Sequence, residues 1–179
     1  MKPILFVFLV LSASLGQPPV NPHSAILQDF DQRVTEYVKF RKTIEGKLPK
    51  LKSTPAQSKI VGHEHDLGGI IRAERRSAKQ GDIFTPEIAA EFRRLVGLMQ
   101  GKDTARVKES IRSAEPVSLR LGVNDAYPDK APLQSMPPTL LQNLPKLPPE
   151  MEYRLVGRAL VLRDVKANLI VDFVNDFMP

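Results

Sequence analysis

The residues best equipped for chemistry fall in one short run, His63-Glu64-His65-Asp66. Imidazoles beside carboxylates are the donor set of a metal site or of acid–base catalysis. Spacing argues against the simplest version. The run sits in a segment with helical periodicity, where residues two apart project about 200° from one another. His63 and His65 therefore cannot chelate one ion there. Only His63 and Asp66 share a face, and two ligands make a poor site. These two are the weak metal candidates; the plainer reading is polar positions on or beside a helix interface.

A second group is basic. Arg72, Arg75, Arg76 and Lys79 recur at i, i+3, i+4 and i+7, one stripe of a helix. Joined by Arg93 and Arg94, the stripe would meet phosphate, an anionic cell-wall surface or acidic lipid. The plainer reading is a solvated face near a negative helix end. Glu152, Asp164, Asp172 and Asp176 form a third group that would suit acid–base work. No histidine, glycine-rich loop or second motif accompanies them, and turn chemistry explains Asp164 better. No G-x-S-x-G or S-x-x-K is present, and His23 has no evident partner. Neither a catalytic residue nor a cofactor is assigned.

Composition narrows the classes further. Cysteine is absent, which removes thiol catalysis, disulfides, zinc–thiolate and iron–sulfur sites together. The formal net charge of +6 favours weak attraction to anionic surfaces without indicating specific nucleic-acid binding. Hydrophobic residues make up 42% of the chain and tryptophan is missing, so the core must be largely Leu, Ile and Val. Met1–Gly16 reads as a secretory signal: Lys2, then the apolar run Ile4–Leu11, then small residues, with cleavage after Gly16 or Ser14. No other stretch is long and apolar enough to span a bilayer. The expected location is periplasmic or secreted.

Three helix-start devices position the candidates. Asn21-Pro22 opens a helix with an apolar stripe through Leu27, Phe30, Val34, Tyr37, Ile44 and Leu48, interrupted by Arg41. Thr54-Pro55-Ala56-Gln57 has capping-box form and should start a helix running to about Lys79. Gly62, Gly68 and Gly69 within it imply close approach of another helix, or a kink. Thr85-Pro86-Glu87 opens a third, with Ile88, Phe92, Leu95, Val96 and Met99 inward and Gly101 as the stop. A shorter amphipathic segment, Thr104–Ala114, follows. Short loops between long helices favour an up-down-up antiparallel bundle over residues 21–114. Val117–Val123 alternates as a half-buried strand would. Residues 115–150 are proline-rich, with a short helix expected over Pro138–Asn143.

Residues 151–179 are patterned as a three-stranded meander: Glu152–Val156, Ala159–Arg163 and Leu169–Val174, the first two joined by Gly157-Arg158. Both faces are apolar over part of their length. One face should pack on the helices or on the proline-rich connection. The other carries Val161 and Ile170 and is flanked by Arg154, Arg158 and Arg163. Either a partner or second copy covers it, or the stretch from Pro128 to Pro149 folds back over it.

Met136–Val174, MPPTLLQNLPKLPPEMEYRLVGRALVLRDVKANLIVDFV, resembles the C-terminal module of RcnB/CigR-type periplasmic proteins. The resemblance rests on a Pro-Pro-rich approach and on Tyr153, Val156, Gly157, Leu160, Val161, Leu162, Asp164, Ile170, Val171 and Asp172. It implies a small β module in an exported, non-enzymatic protein, of a kind associated with nickel/cobalt homeostasis or envelope regulation. The whole chain is similar to exported bacterial proteins of like length, a resemblance that implies no activity. The expectation is an α+β protein acting as an envelope interaction or regulatory module. A periplasmic metal-binding protein and an exported hydrolase with a site assembled from scattered residues stand as alternatives.

Overall fold

The computed structural model describes residues 21–51, 55–98, 105, 109, 120–128 and 136–177. Met1–Gly16, Thr54, Met99 and Gly101 lie outside the described residues. So does Thr104–Ala114, apart from Ala105 and Glu109, both helical.

Helix α1 (Pro22–Glu45) opens as its sequence dictates: the Asn21 side chain accepts from the His23 backbone N–H at 3.0 Å. Phe30, Val34, Tyr37, Val38 and Ile44 are buried along it, and so is Arg41. Helix α3 (Pro86–Gly97) is capped by Thr85, whose hydroxyl accepts from the Ile88 N–H at 3.3 Å. Helix α2 (Gln57–Glu74) departs from expectation at both ends. Its cap is Ala56, with no side-chain bond, and it stops at Glu74 rather than Lys79. The early stop has a visible cause. Asn124 Nδ2 donates to the Arg75 carbonyl, and Asn124 Oδ1 accepts from Arg75 Nη1, both at 2.8 Å. That side chain takes up a carbonyl that in a further helical turn would accept from the Lys79 N–H.

Helix α1 packs against both α2 and α3, and a short helix α4 (Pro138–Asn143) packs on α3. Of the three glycines singled out in α2, one marks a close approach. A Cβ on Gly68 would lie 2.9 Å from the Ala167 carbonyl. The neighbour is thus a turn of the sheet, not another helix; Gly62 and Gly69 have open space around them.

Strands β1 (Met151–Val156), β2 (Ala159–Asp164) and β3 (Leu169–Val174) form an antiparallel meander in that order. Val156 pairs with Ala159, closing a two-residue hairpin in which Gly157 takes φ +57°. A II′ turn requires glycine at that position. Between β2 and β3 the register shifts: Leu162 faces Asp172 and Arg163 faces Ile170, leaving Val171 as the extra residue of a bulge. The bulge rewrites the alternation. Val171 and Val174 point to the helical side, while Ile170 and Phe173 point away from it.

The molecule is α+β, with one main core shared by both halves. Phe30, Phe84, Phe92 and Tyr153 stack or meet edge to face within it. Leu140, Leu144, Leu155, Leu160, Leu162 and Phe177 complete it. The sheet's other face is covered by the chain itself. Tyr127 packs on Val156, Val161, Ile170 and Phe173, with Leu121 and Val123 beside it. The cover therefore comes from upstream of Pro128, while Met136, Leu140, Leu144 and Leu147 go to the main core instead. No described residue of Val117–Val123 is in a strand; the one bridge made by this stretch of chain falls later, Ala126 opposite Leu169.

Candidate functional site

The basic stripe does not survive folding as a stripe. With α2 ending at Glu74, Arg75, Arg76 and Lys79 leave the helical register that aligned them with Arg72. Arg75 turns inward, its guanidinium 4.9 Å from the Tyr37 ring centroid and bonded to Asn124. Burial pulls its pKa below the usual arginine range. Arg76 folds back onto the Ala73 carbonyl. Arg94 pairs with buried Glu91 at 2.6 Å, and His23 Nδ1 reaches the same carboxylate at 2.7 Å. Hydrogen bonds from Arg94, reinforced by those from His23, hold Glu91 below the usual carboxylate range. His23 thus gains a partner that its place in the sequence did not reveal.

Val161 and Ile170, the two apolar contact candidates, are core residues, 0% and 1% exposed. Their face of the sheet is filled by Tyr127, over which Arg163 stacks at 4.7 Å. Among the described residues, the side chains packed on this face leave Val161 and Ile170 no exposed surface for a partner.

Two carboxylates of the meander, Asp164 and Asp172, are fully buried. Asp164 Oδ1 accepts from the Lys166 and Ala167 N–H groups, both at 3.0 Å, as a turn-forming aspartate should. Its Oδ2 accepts from the Tyr37 hydroxyl at 2.9 Å and lies 3.4 Å from Arg41 Nε. Burial raises its pKa, while these donors and the Arg41 charge oppose the rise. Arg41 is itself 0% exposed and also pairs with Glu45 at 2.7 Å. Glu150 completes the group, held by Lys42 at 3.1 Å. The result is a charged seam joining one side of α1 to the β module. Arg41 signalled this in the sequence by standing at an apolar position of its stripe; its partners carried no such mark.

Asp172 does different work. Its carboxylate accepts from the backbone N–H groups of Gly81, Ile83 and Phe84 at 3.0, 2.8 and 2.8 Å. It fixes the loop between α2 and α3 against β3. Asp176 stays at the surface, paired with Arg158 at 3.1 Å, and Glu152 holds Arg154 and Arg163.

His63 lines a cleft of about 590 Å³ beside the end of α1, with Lys42, Glu45, Leu48, Leu51, Ile60 and Lys166. Lys166 bridges to Glu45 at 3.0 Å. Asp66 is well exposed, its carboxylate 3.8 Å from His65. Among the described residues no group of three or more His, Cys, Asp or Glu is placed to hold a metal ion. No described helix is long and apolar enough to cross a membrane. No protein-family model, curated protein or solved structure matches the chain.

Proposed function

We propose that the protein is an exported, non-catalytic interaction or regulatory module of the bacterial envelope, built on an RcnB-like C-terminal β unit. One observation carries the reading: the buried carboxylates Glu91, Asp164 and Asp172 are engaged by this chain's own side chains and amides, and buried Arg41 pairs with Glu45 through Nη1 although its Nε and Nη2 make no hydrogen bond among the described residues. A catalytic site instead holds such groups in reach of a substrate, with their perturbed pKa values directed at it. The residues of the RcnB/CigR-like pattern act as architecture. Gly157 makes the hairpin turn, Asp164 and Asp172 bind α1 and the α2–α3 loop, and the apolar members fill the core on both faces. Export rests on the Lys2 and Ile4–Leu11 pattern at the N-terminus.

The test is expression of the full chain with a C-terminal tag, followed by osmotic-shock fractionation, intact mass and crosslinking in living cells. Expected are periplasmic recovery, a mass lacking residues through Gly16 or Ser14, and a discrete crosslinked adduct. Full-length protein retained in the cytosol would overturn the export half. Turnover of ester, peptide or glycoside substrates by the purified mature chain, abolished by a single substitution, would overturn the non-catalytic half.

A further inference from the structure

The far edge of β3 is treated differently along its two halves. On the first half, the chain adds its own main-chain partner. Asn124 N–H donates to Ile170, Asp125 accepts from Ile170, and Tyr127 N–H donates to Asn168, at 2.8, 2.9 and 2.8 Å. On the second half, side chains occupy the edge. Gln80 Nε2 donates to the Phe173 carbonyl at 3.2 Å, Arg93 Nη2 to the Asn175 carbonyl at 3.0 Å, and Asp172 Oδ1 accepts from the Phe173 N–H at 2.8 Å. Among the described residues no main-chain group pairs with Phe173 or Asn175 on that side. Gln80 and Arg93 are both exposed, so the two carbonyls are held by side chains that solvent can replace. An edge capped this way is blunted against pairing, yet it stays open to a segment that offers better donors.

A groove of about 440 Å³ runs along this half-edge, lined by Lys79, Gln80, Phe84, Ala89, Arg93 and Phe173 among others. Among the described residues its charged lining is Lys79 and Arg93, with no carboxylate. Pairing groups and one sign of charge specify an occupant together. We infer that this groove takes an extended acidic segment of a partner protein, added as a strand alongside Phe173–Asn175. The segment's N–H groups take over the two carbonyls from Gln80 and Arg93. Its acidic side chains then meet Lys79 and the released Arg93 guanidinium, and an apolar side chain of the segment can rest on exposed Pro86. The inference rests on the reading of the protein as an interaction module, and it names the surface that reading leaves open.

Binding is read by the fluorescence anisotropy of a fluorescein-labelled peptide. The probe is a short end-blocked peptide alternating valine and glutamate, titrated into the mature chain. It should bind at least about tenfold more tightly than its valine–lysine counterpart. The Lys79→Glu/Arg93→Glu double variant should lose about tenfold or more. Gln80→Ala, which uncovers the Phe173 carbonyl, should tighten binding by about threefold. Backbone N-methylation of the peptide on its pairing edge should abolish binding, and that arm needs no variant that might disturb folding. Amide shifts should centre on Phe173–Asn175. Equal binding of acidic and basic peptides, retained binding after N-methylation, weaker binding by Gln80→Ala, or full displacement by millimolar phosphate would each overturn strand addition. Self-association of the free chain that the peptide does not compete away would assign the edge to a second copy instead. Failure here is separate from failure of export, which fractionation alone decides.

Discussion

Asp164 ends β2 and Asp172 lies in β3, both 0% exposed, and the protein compensates the two charges by opposite means. Asp164 is served by its own turn, through Lys166 and Ala167, and by a phenol and a guanidinium from α1. Among the described residues every hydrogen bond to Asp172 comes from a backbone amide: Gly81, Ile83 and Phe84 from a distant loop, and Phe173 beside it, with the Arg75 charge in electrostatic reach. A guanidinium is a mobile charge that costs heavily to bury and must itself be paired. Backbone N–H groups carry no net charge, and fixed in a concave loop they form an anion-binding nest. The first arrangement joins two elements through side chains that a substitution can exchange. The second makes the conformation of a loop conditional on one carboxylate.

The largest effect should come from Asp172. In Asp172→Asn one acceptor oxygen remains, and an NH₂ group is turned against amides that also donate. Hydrogen bonds to a charged group contribute about 1.5–3 kcal/mol each, so losing two should cost about 3–6 kcal/mol. That approaches the whole stability of an ordinary domain, about 5–15 kcal/mol. The urea midpoint should fall sharply, and the Ile83 and Phe84 amides should exchange faster. An unchanged midpoint would mean the loop holds itself, and the contrast with Asp164 would collapse.

Asp164→Asn comes next, at up to about 3–5 kcal/mol, because it removes the fully buried carboxylate beside Arg41 and leaves that charge to Glu45 and the more distant Glu150. Adding Arg41→Met should recover part of that loss, since an apolar side chain of similar length removes the stranded charge. On the Asp172→Asn background the same Arg41→Met change should only add its own cost. Two double-mutant cycles in urea measure this directly. Coupling of similar size in both cycles would break the distinction between a charge-paired and an amide-paired carboxylate.

The two aspartates also mark where sequence reasoning stops. The turn role of Asp164 was legible because its donors lie within three residues, and local chemistry has a local signature. The role of Asp172 was not, since its donors are the amides of Gly81, Ile83 and Phe84, and an amide carries no identity in a sequence. The starts of α1 and α3, the meander and the Gly157 turn were legible for the same local reason, down to the Thr85 cap, whereas the capping box read at Thr54 is not the start of α2, which has Ala56 as its cap. The end of α2 was missed because Asn124 ends it from another part of the chain. The facing of β3 from Val171 onward was not legible, because a bulge there shifts the alternation by one residue and nothing local marks it. Of the candidate site, the arginines were visible, but which of them fold inward depends on tertiary partners such as Tyr37 and Asn124.

The smallest effect, and the one that most sharpens the comparison, is Tyr37→Phe. The ring stays, and with it the stacking of Arg75; only the hydroxyl that donates to Asp164 is lost. At neutral pH the cost should be about 1.5–3 kcal/mol, as for a hydrogen bond to a charged acceptor. Its pH dependence follows from the direction in which Asp164 is shifted. Burial holds that carboxyl above 3.8, and the Tyr37 hydroxyl is among the groups pulling it back. An acid raised on folding contributes stability that is fully present below its unfolded pKa and is lost as pH rises through the folded one. Without the hydroxyl the folded pKa rises further, so in Tyr37→Phe the loss continues to higher pH. The difference between wild type and variant should therefore be small near pH 3 and reach full size only above the variant's folded pKa. Thermal melts of both proteins across that range measure it, and the change in net charge of other carboxylates cancels in the difference. A gap of equal size at both ends would show that the hydroxyl does not act on an ionised Asp164. The seam between α1 and the sheet would then be a neutral hydrogen-bonded contact, and its difference from the amide nest at Asp172 would be one of donors alone, not of charge.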